Sequence, residues 1–264
     1  MAASVDWAPV VEAIGSAEQA GRTLGVAAIA PSGARFGHNA DRRFRAASTV
    51  KIPIMIELFR QIDAGELAAA HRHVLRAEDR APGSGVMLHL HEGMEFTLDD
   101  LIYLMISVSD NTATNILIDL AGMERVNATM RRLGMNNSTL GRKMQGHAAS
   151  LASQENWASP NDYAAVVAAL LAGRAGSADA CARMVAFLEK QQNDRRIARH
   201  LPRTDRPRWG SKTGSIPGVT NDVGFIETPR GMLVVSAFCE HQDDPHGGEQ
   251  AIGDVSRAAL QAVG

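Results

Sequence analysis

The chain opens with one helical and two strand patterns of apolar residues. Between Val5 and Ala20 the apolar positions recur at helical spacing. Leu24–Ala30 is a short apolar run that ends at Pro31-Ser32-Gly33, which predicts a strand followed by a turn. Ala34–Asn39 is the predicted hairpin partner of that strand. The first segment is therefore a helix and two strands.

The middle of the chain predicts helices. Apolar residues repeat at helical spacing, capping residues precede several of these segments, and glycines follow others. The predicted helices are Thr49–Ala64, Leu101–Ile106, Thr112–Leu120, Met123–Leu133, a segment from Ser159 to about Ala172, and Asp179–Gln191.

The end of the chain returns to strands and closes with a helix. The predicted strands are Trp209–Ser215, Val223–Glu227 and Met232–Glu240, and the helix is Glu249–Val263. This order predicts an α/β fold of the α+β type: an antiparallel five-stranded sheet formed by both termini, with flanking helices and an inserted all-helical lobe. We expect a single unit over 1–264, with a sheet lobe (1–47 and 205–264) and a helical lobe (48–204).

Composition and charge narrow the functional class. The chain has 264 residues, of which 45% are hydrophobic and 21% charged, and a formal net charge of −2. These values are ordinary for a globular protein and speak against disorder and against a strongly basic nucleic-acid binder. No run of 18 apolar residues is present, so the sequence predicts no transmembrane helix. We expect a monomer with a small-molecule partner, without nucleic acid or membrane.

The N-terminal residues and the cysteines bear on the compartment. The first residues lack the basic and apolar regions of a signal peptide. Cys181 and Cys239 fall in a helical and a strand pattern, where buried free thiols are expected. These features predict a cytoplasmic protein. A periplasmic or secreted location stays open if the sequence begins at the mature end of a longer precursor.

Ser48-Thr49-Val50-Lys51 lies at the predicted start of a helix. The spacing stacks Ser48 and Lys51 one turn apart, and the helix N-terminus supplies free backbone N–H groups that can stabilise an oxyanion. A desolvated lysine can be neutral and accept the proton of a nucleophilic serine. By itself the tetrapeptide also fits a serine N-cap with a solvated lysine.

Two further motifs follow in the chain. Ser109-Asp110-Asn111 lies between two predicted helices, and Lys212-Thr213-Gly214-Ser215 lies on a predicted strand. Alone, they fit a helix cap and a strand edge. All three motifs together, in this order, resemble the class A β-lactamase-like branch of the penicillin-recognising serine hydrolases. Asn221-Asp222 after the lysine strand also looks like that family, and the order of elements agrees over nearly the whole chain.

The resemblance implies roles for four catalytic residues. Ser48 is the nucleophile that becomes acylated, and Lys51 is its base or proton relay. Ser109 passes a proton to the leaving nitrogen. Lys212 stays charged, attracts an anionic substrate and eases proton movement at Ser109.

The resemblance also implies substrate-binding residues. Asn111 holds a substrate amide and Lys51, and the hydroxyls of Thr213 and Ser215 bind a substrate carboxylate on the strand that contains Gly214. The backbone N–H groups of Ser48 and Ser215 form the oxyanion hole. Such a hole supplies about 3 to 4 kcal/mol per donor.

The family's loop glutamate, which aims the deacylating water, has no match in this sequence. Counting back from Ser159-Pro160 places Lys143 at the glutamate position and His147 at the position of the accompanying asparagine. Glu155 is the one acid between Glu124 and Asp162, so it is either a displaced water activator or a solvated acid.

Other charged residues give weaker signals. The strand after the lysine strand lacks the arginine that many relatives have there. Six arginines lie between 195 and 208. They form either a solvated face or a patch that steers an anionic substrate, and the sequence leaves both interpretations open. The histidine pairs have no convergent third ligand, so we expect no metal and no cofactor.

The sequence therefore predicts a serine hydrolase that works through an acyl-enzyme on β-lactams or a related small amide or ester. Because the loop glutamate is missing, slow deacylation of β-lactams is expected. A peptidase, amidase or esterase of the penicillin-binding type that acts on D-amino-acid substrates is one alternative. A non-catalytic ligand-binding domain on the same fold is another.

Overall fold

The main feature of the computed structural model, which describes residues 5–242 and 244–264, is an antiparallel five-stranded sheet. From one edge to the other its strands are β2 (Arg35–His38), β1 (Thr23–Ile29), β9 (Gly231–Glu240), β8 (Val219–Thr228) and β7 (Trp209–Ile216). The two ends of the chain meet where β1 pairs with β9. The predicted α+β fold with a sheet built from both termini is confirmed.

Helices cover both faces of this sheet. On one face, α1 (Ala8–Gln19) and α8 (Pro245–Val263) pack over an apolar core that includes Val26 and Val235. On the other face, a second core that includes Phe225 continues without interruption into the helical part of the chain. That part contains α2 (Lys51–Asp63), α3 (Leu98–Ser107), α4 (Asn111–Ala121), α5 (Met123–Arg132), α6 (Pro160–Leu171) and α7 (Ala178–Leu188).

The inserted part of the chain is not all-helical, which corrects the sequence-based expectation. Two small antiparallel pairs lie at its margins: β4 (Arg72–Val74) with β5 (Glu95–Thr97), and β3 (Phe44–Arg45) with β6 (Trp157–Ala158). Each strand has two or three residues, too few to show a period of two in the sequence. The β3–β6 pair ties the segment before Ser48 to the segment before α6.

Several boundaries also differ from the pattern. The predicted helix from Thr49 begins as a 3-10 turn, Ala47–Val50, and α2 proper starts at Lys51. The last helix starts at Pro245 rather than Glu249, because Asp244 caps it by accepting hydrogen bonds from His246 and Gly247 N–H. Cys181 and Cys239 are buried and free, as predicted. Within the described ranges, no helix is long and apolar enough to cross a membrane.

Candidate active site

Ser48 lies in the 3-10 turn that leads into α2, at the bottom of a cleft between the sheet and the helices. Only 9% of the residue is exposed. Ala47 has a φ of 46°, a left-handed conformation that is uncommon for a residue other than glycine. Such strain is held in place by the surrounding structure and is frequent at functional sites. The turn therefore fixes the direction of the serine at the start of α2.

Lys51, the first residue of α2, joins the first two motifs. It is fully buried, and its Nζ donates hydrogen bonds to Ser109 O (2.8 Å), Ser109 Oγ (3.0 Å) and Asn111 Oδ1 (3.0 Å). Ser109 adopts a φ of 58° in the turn between α3 and α4. Asp110 caps α4 through the backbone N–H of Ala113 at 2.9 Å. The cap fixes the turn in the position from which Ser109 and Asn111 reach Lys51.

Gly214 brings the third motif against the first. A Cβ at this position would lie 2.9 Å from Ala46 O and 3.1 Å from Ser48 N. Real Cβ atoms rarely approach so closely, so β7 can pass the serine turn at this distance only with glycine. Ser109 and Lys212 follow Ser48 by 61 and 164 residues in the sequence, yet the three motifs surround one cleft, as expected from the resemblance.

Burial acts on the protonation of both motif lysines. Burial, and then the charge of Lys212, hold the pKa of Lys51 well below its usual range, while Asp110 opposes that shift. Burial lowers the pKa of Lys212 to about 7, Asp222 opposes this shift, and Arg196 adds to it. Lys212 Nζ is removed from water and donates to Thr213 O, so burial is the main cause of this shift, and the expectation that Lys212 stays charged remains a prediction.

Arg196 is the functional side chain that the sequence did not single out. It is 4% exposed and donates from Nη1 to Gly214 O (2.9 Å) and Asn221 O (2.6 Å), and from Nη2 to Ser215 Oγ (2.6 Å). Because Ser215 Oγ accepts this hydrogen bond, its own O–H is free to donate elsewhere. The arginine therefore places positive charge beside β7, where the sequence pattern found no basic residue on the next strand. Six arginines between 195 and 208 gave no signal that would have distinguished it.

The loop 141–156 forms the opposite wall of the cleft, and it is fixed by Asn115. The Asn115 side chain donates to Met144 O (3.1 Å) and accepts from Met144 N–H (2.8 Å). Met144 is 7% exposed and lines the cavity next to Ser48. Lys143, which the count placed at the glutamate position, lines the same cavity and pairs through Nζ with Asp119 Oδ1 at 2.6 Å. Among these loop residues Met144 is the buried apolar one, and Asn115 holds its backbone beside the cleft.

Glu155 lies at the end of this loop, and both of its oxygens are engaged. Oε1 accepts from Asn156 N–H (2.8 Å) and lies 3.4 Å from Arg142 Nη2, while Oε2 accepts from Ala149 N–H (2.8 Å). The residue is 4% exposed, so the solvated-acid interpretation is wrong. Both carboxylate oxygens are therefore occupied by donors that belong to the loop itself. The geometry favours a role in holding the loop over activation of a water.

Two adjoining cavities meet at Ser48 and Ser215. The smaller has a volume of about 270 Å³ and lies between Ser48, Asn111 and the loop 141–156. The larger has a volume of about 520 Å³ and is lined by Ser109, Thr213 and the segment 191–196. The predicted site residues with a hydroxyl or amide group therefore border the cleft, whereas the two lysines are buried beneath it: Ser48, Ser109, Asn111, Thr213 and Ser215 line the cavities. Within the part of the chain that the structure describes, no three histidine, cysteine or acidic side chains converge on a metal position.

Comparisons with known proteins agree with this geometry. A family model described as the β-lactamase enzyme family matches residues 9–263. A β-lactamase structure from Sphaerobacter thermophilus is 60% identical, with a TM-score of 0.96 and 98% of each chain covered. The β-lactamase SME-1 from Serratia marcescens is 28% identical over 252 residues, which cover 91% of this chain and 84% of that protein. A PBP-A variant, solved as an acyl-enzyme complex with penicillin G, is 26% identical, with a TM-score of 0.85 over 96% of this chain and 95% of that one.

Proposed function

Because this chain belongs to the β-lactamase enzyme family, as a serine hydrolase of the class A type, we propose that Ser48 attacks β-lactams or related small amides and esters, and that β-lactams acylate it faster than they are released. The family membership supports the first half of this proposal. Met144 in place of an acid in the loop supports the second half.

In the acylation step, Ser48 Oγ attacks the substrate carbonyl and its proton passes to Lys51. Burial lowers the pKa of Lys51, so a neutral amine is accessible to take that proton. The three acceptors around Nζ then stabilise the ammonium that forms, and Ser109, one of these acceptors, can carry a proton to the leaving nitrogen. The backbone N–H groups of Ser48 and Ser215 stabilise the oxyanion.

A substrate carboxylate would bind at the β7 side of the cleft. Ser215 and Thr213 offer hydroxyl donors, and Arg196 adds the charge that Lys212, with its pKa of about 7, supplies only in part at neutral pH. Hydrogen bonds to charged groups contribute about 1.5 to 3 kcal/mol. Arg196 is thus the main charged anchor for an anionic substrate in this proposal.

The deacylation step lacks an evident base. Two of the loop residues that line the cavity beside Ser48 are Met144, which has no acid group, and Glu155, which is bound by two backbone N–H groups and by Arg142. General-base assistance contributes about 10²- to 10⁴-fold to such a step. Its loss falls on hydrolysis of the acyl-enzyme and leaves the acylation groups intact.

A penicillin-binding type of peptidase or esterase is the second candidate function. The same observation favours it: an apolar residue at the position that faces the acyl-enzyme is compatible with natural acyl groups that leave room for a water held by Lys51. The relation to PBP-A is also consistent with this candidate. A purely ligand-binding domain is less well supported, because Lys51, Ser109 and Asn111 remain joined in one hydrogen-bond network beside Ser48.

Labelling with a fluorescent penicillin tests the proposed function. We expect one label per chain, located by peptide mapping on the Ser48 peptide, and no label on Ser48→Ala. Ser150→Ala is the matched control, since Ser150 is an exposed serine of the loop, and it should label like the parent chain. Label on another serine, or undiminished labelling of Ser48→Ala, would contradict the proposal.

A further inference from the structure

Asp222 is a fully buried carboxyl group directly behind the strand that binds the substrate carboxylate. It lies on β8, where its Cα pairs with that of Thr213 on β7. Its Oδ2 accepts a hydrogen bond from Ile197 N–H at 3.1 Å. Ile197 follows Arg196, so this contact holds the segment that carries the arginine against the sheet.

Two buried cations, Arg196 and Lys212, act on Asp222 through their charge. Lys212 donates from Nζ to the carbonyl of Thr213, and Arg196 donates to two carbonyls and the Ser215 hydroxyl. Both cations thus have neutral acceptors as their closest hydrogen-bond partners. Asp222 acts on them through the protein interior, where charge interactions are screened less than in water.

The charge of Asp222 and the charge of Lys212 each affect the pKa of the other group. Burial lowers the pKa of Lys212 to about 7, and Asp222 is the group that opposes this shift. Burial raises the pKa of Asp222 itself, while Arg196, the Ile197 N–H, Ser211 and Lys212 oppose that shift. Two neighbouring cations and a backbone donor therefore favour the ionised carboxylate, and the carboxylate in turn favours the ammonium form of Lys212.

We propose that Asp222 is a positioning residue of the substrate-carboxylate subsite, which holds the Arg196 segment through Ile197 N–H and serves as the buried counter-charge of Lys212. It never touches the substrate. Without its charge, Arg196 keeps Glu249 as a nearby anion, whereas Lys212 loses the carboxylate that opposes the effect of burial on its pKa. This inference rests on the proposed function, because it concerns substrates that carry a carboxylate.

Other charged groups face the same region and have to be separated from Asp222. Lys51 acts from α2 and Asp110 from the start of α4. Glu249 of α8 lies 3.5 Å from Arg196 Nε and 3.3 Å from Arg195 Nε. Burial lowers the pKa of Arg196, and both Asp222 and Glu249 oppose that shift, whereas Asp222 and Arg196 are the charged groups that act on Lys212 besides burial. Removing the Glu249 charge is therefore the matched control for removing the Asp222 charge.

The experiment compares Asp222→Asn and Glu249→Gln with the parent chain. Asparagine keeps an oxygen that can accept from Ile197 N–H but has no charge. The acylation rate constant is measured by stopped flow from pH 5 to 9 with penicillin G and with p-nitrophenyl acetate, an uncharged ester. For Asp222→Asn and penicillin G, we expect the alkaline limb of the pH–rate profile to move down by about one pH unit. The acylation rate constant then falls about tenfold near pH 7.5 and recovers at pH 5.5. The sign follows because removing a negative charge lowers the pKa of Lys212.

The controls separate positioning from a structural effect. Glu249→Gln should leave the alkaline limb in place, and the uncharged ester should show no shift with either variant. A direct titration of Lys212 Nζ by ¹⁵N NMR should show the same downward shift in Asp222→Asn without any substrate. An unmoved limb and an unmoved NMR titration would overturn the inference, and so would an equal loss with the ester or at pH 5.5. Failure of the parent chain to react with penicillin G would instead contradict the proposed function, and the NMR result would still decide the role of Asp222.

Discussion

Replacing Met144 by glutamate should accelerate hydrolysis of the acyl-enzyme, so that the variant turns over β-lactams that the parent chain releases slowly. The Asn115 amide donates to Met144 O and accepts from Met144 N–H, and Met144 is one of the residues that line the cavity next to Ser48. Glutamate has nearly the same length, so its carboxylate would enter the smaller cavity of about 270 Å³, which has room for a water. A largely buried carboxyl group has a raised pKa, which makes it a better base near neutral pH.

The expected gain is about 10²- to 10⁴-fold in the hydrolysis of the penicilloyl-enzyme, the usual range for a positioned general base. The acylation rate should change by less, because Lys51 and the oxyanion hole are untouched. A stability cost of about 1 to 3 kcal/mol is expected, since a polar group replaces an apolar one at a site that is 7% exposed.

The assay is the decay of the preformed penicilloyl-enzyme, followed by intact-mass spectrometry after excess penicillin is removed. Lys143→Glu is the matched control, because it adds the same acid one residue earlier on a side chain that is 45% exposed and pairs with Asp119. Met144→Gln controls for polarity without a base. Equal decay of Met144→Glu and Met144→Gln, or an equal gain in Lys143→Glu, would refute the assignment of Met144 to the cleft.

Two substitutions test the β7 side of the cleft. Gly214→Ala should slow acylation by about tenfold or more, since its methyl group would lie 2.9 Å from Ala46 O and such overpacking costs about 1 to 3 kcal/mol. Gly15→Ala, where nothing lies within 4 Å of the added Cβ, should leave the acylation rate unchanged. Equal acylation rates in the two variants would count against the close approach of β7 to the serine turn. Arg196→Ala should reduce acylation by penicillin G about 10- to 100-fold through loss of a charged donor, with little effect on p-nitrophenyl acetate. The exposed Arg203→Ala should behave like the parent chain, and an equal effect of Arg196→Ala on both substrates would argue against the carboxylate anchor.

The sequence predicted those parts of the site that depend on local spacing. Ser48 and Lys51 lie one turn apart, and Ser109 and Asn111 flank a helix start, so their chemistry can be inferred from a few neighbouring residues. The long strands of the sheet were also predictable from local sequence, because continuous apolar runs mark strands that are buried on both faces. The β3–β6 and β4–β5 pairs were missed because a strand of two or three residues is too short to show an alternation of apolar and polar positions.

The remaining features depend on tertiary contacts. Arg196 is one of six arginines in a short segment, and only the folded chain shows that it is the one buried against β7. Counting back from Ser159-Pro160 without gaps placed Lys143 at the position of the family's loop glutamate. In the folded chain, the Asn115 side chain instead holds the backbone of Met144 beside the cleft. The charge of Lys212 was assigned from its motif, but its burial and the opposing effects of Asp222 and Arg196 set its pKa.

The central claim is that acylation of Ser48 is complete while deacylation is impaired, and intact-mass spectrometry combined with product release tests it most directly. Mixing the parent chain with excess penicillin G should give a penicilloyl adduct on nearly every molecule. Product formation should show a burst close to one equivalent per chain, followed by a slow phase whose rate equals the decay of the adduct. Fast linear turnover with no accumulated adduct would contradict the account.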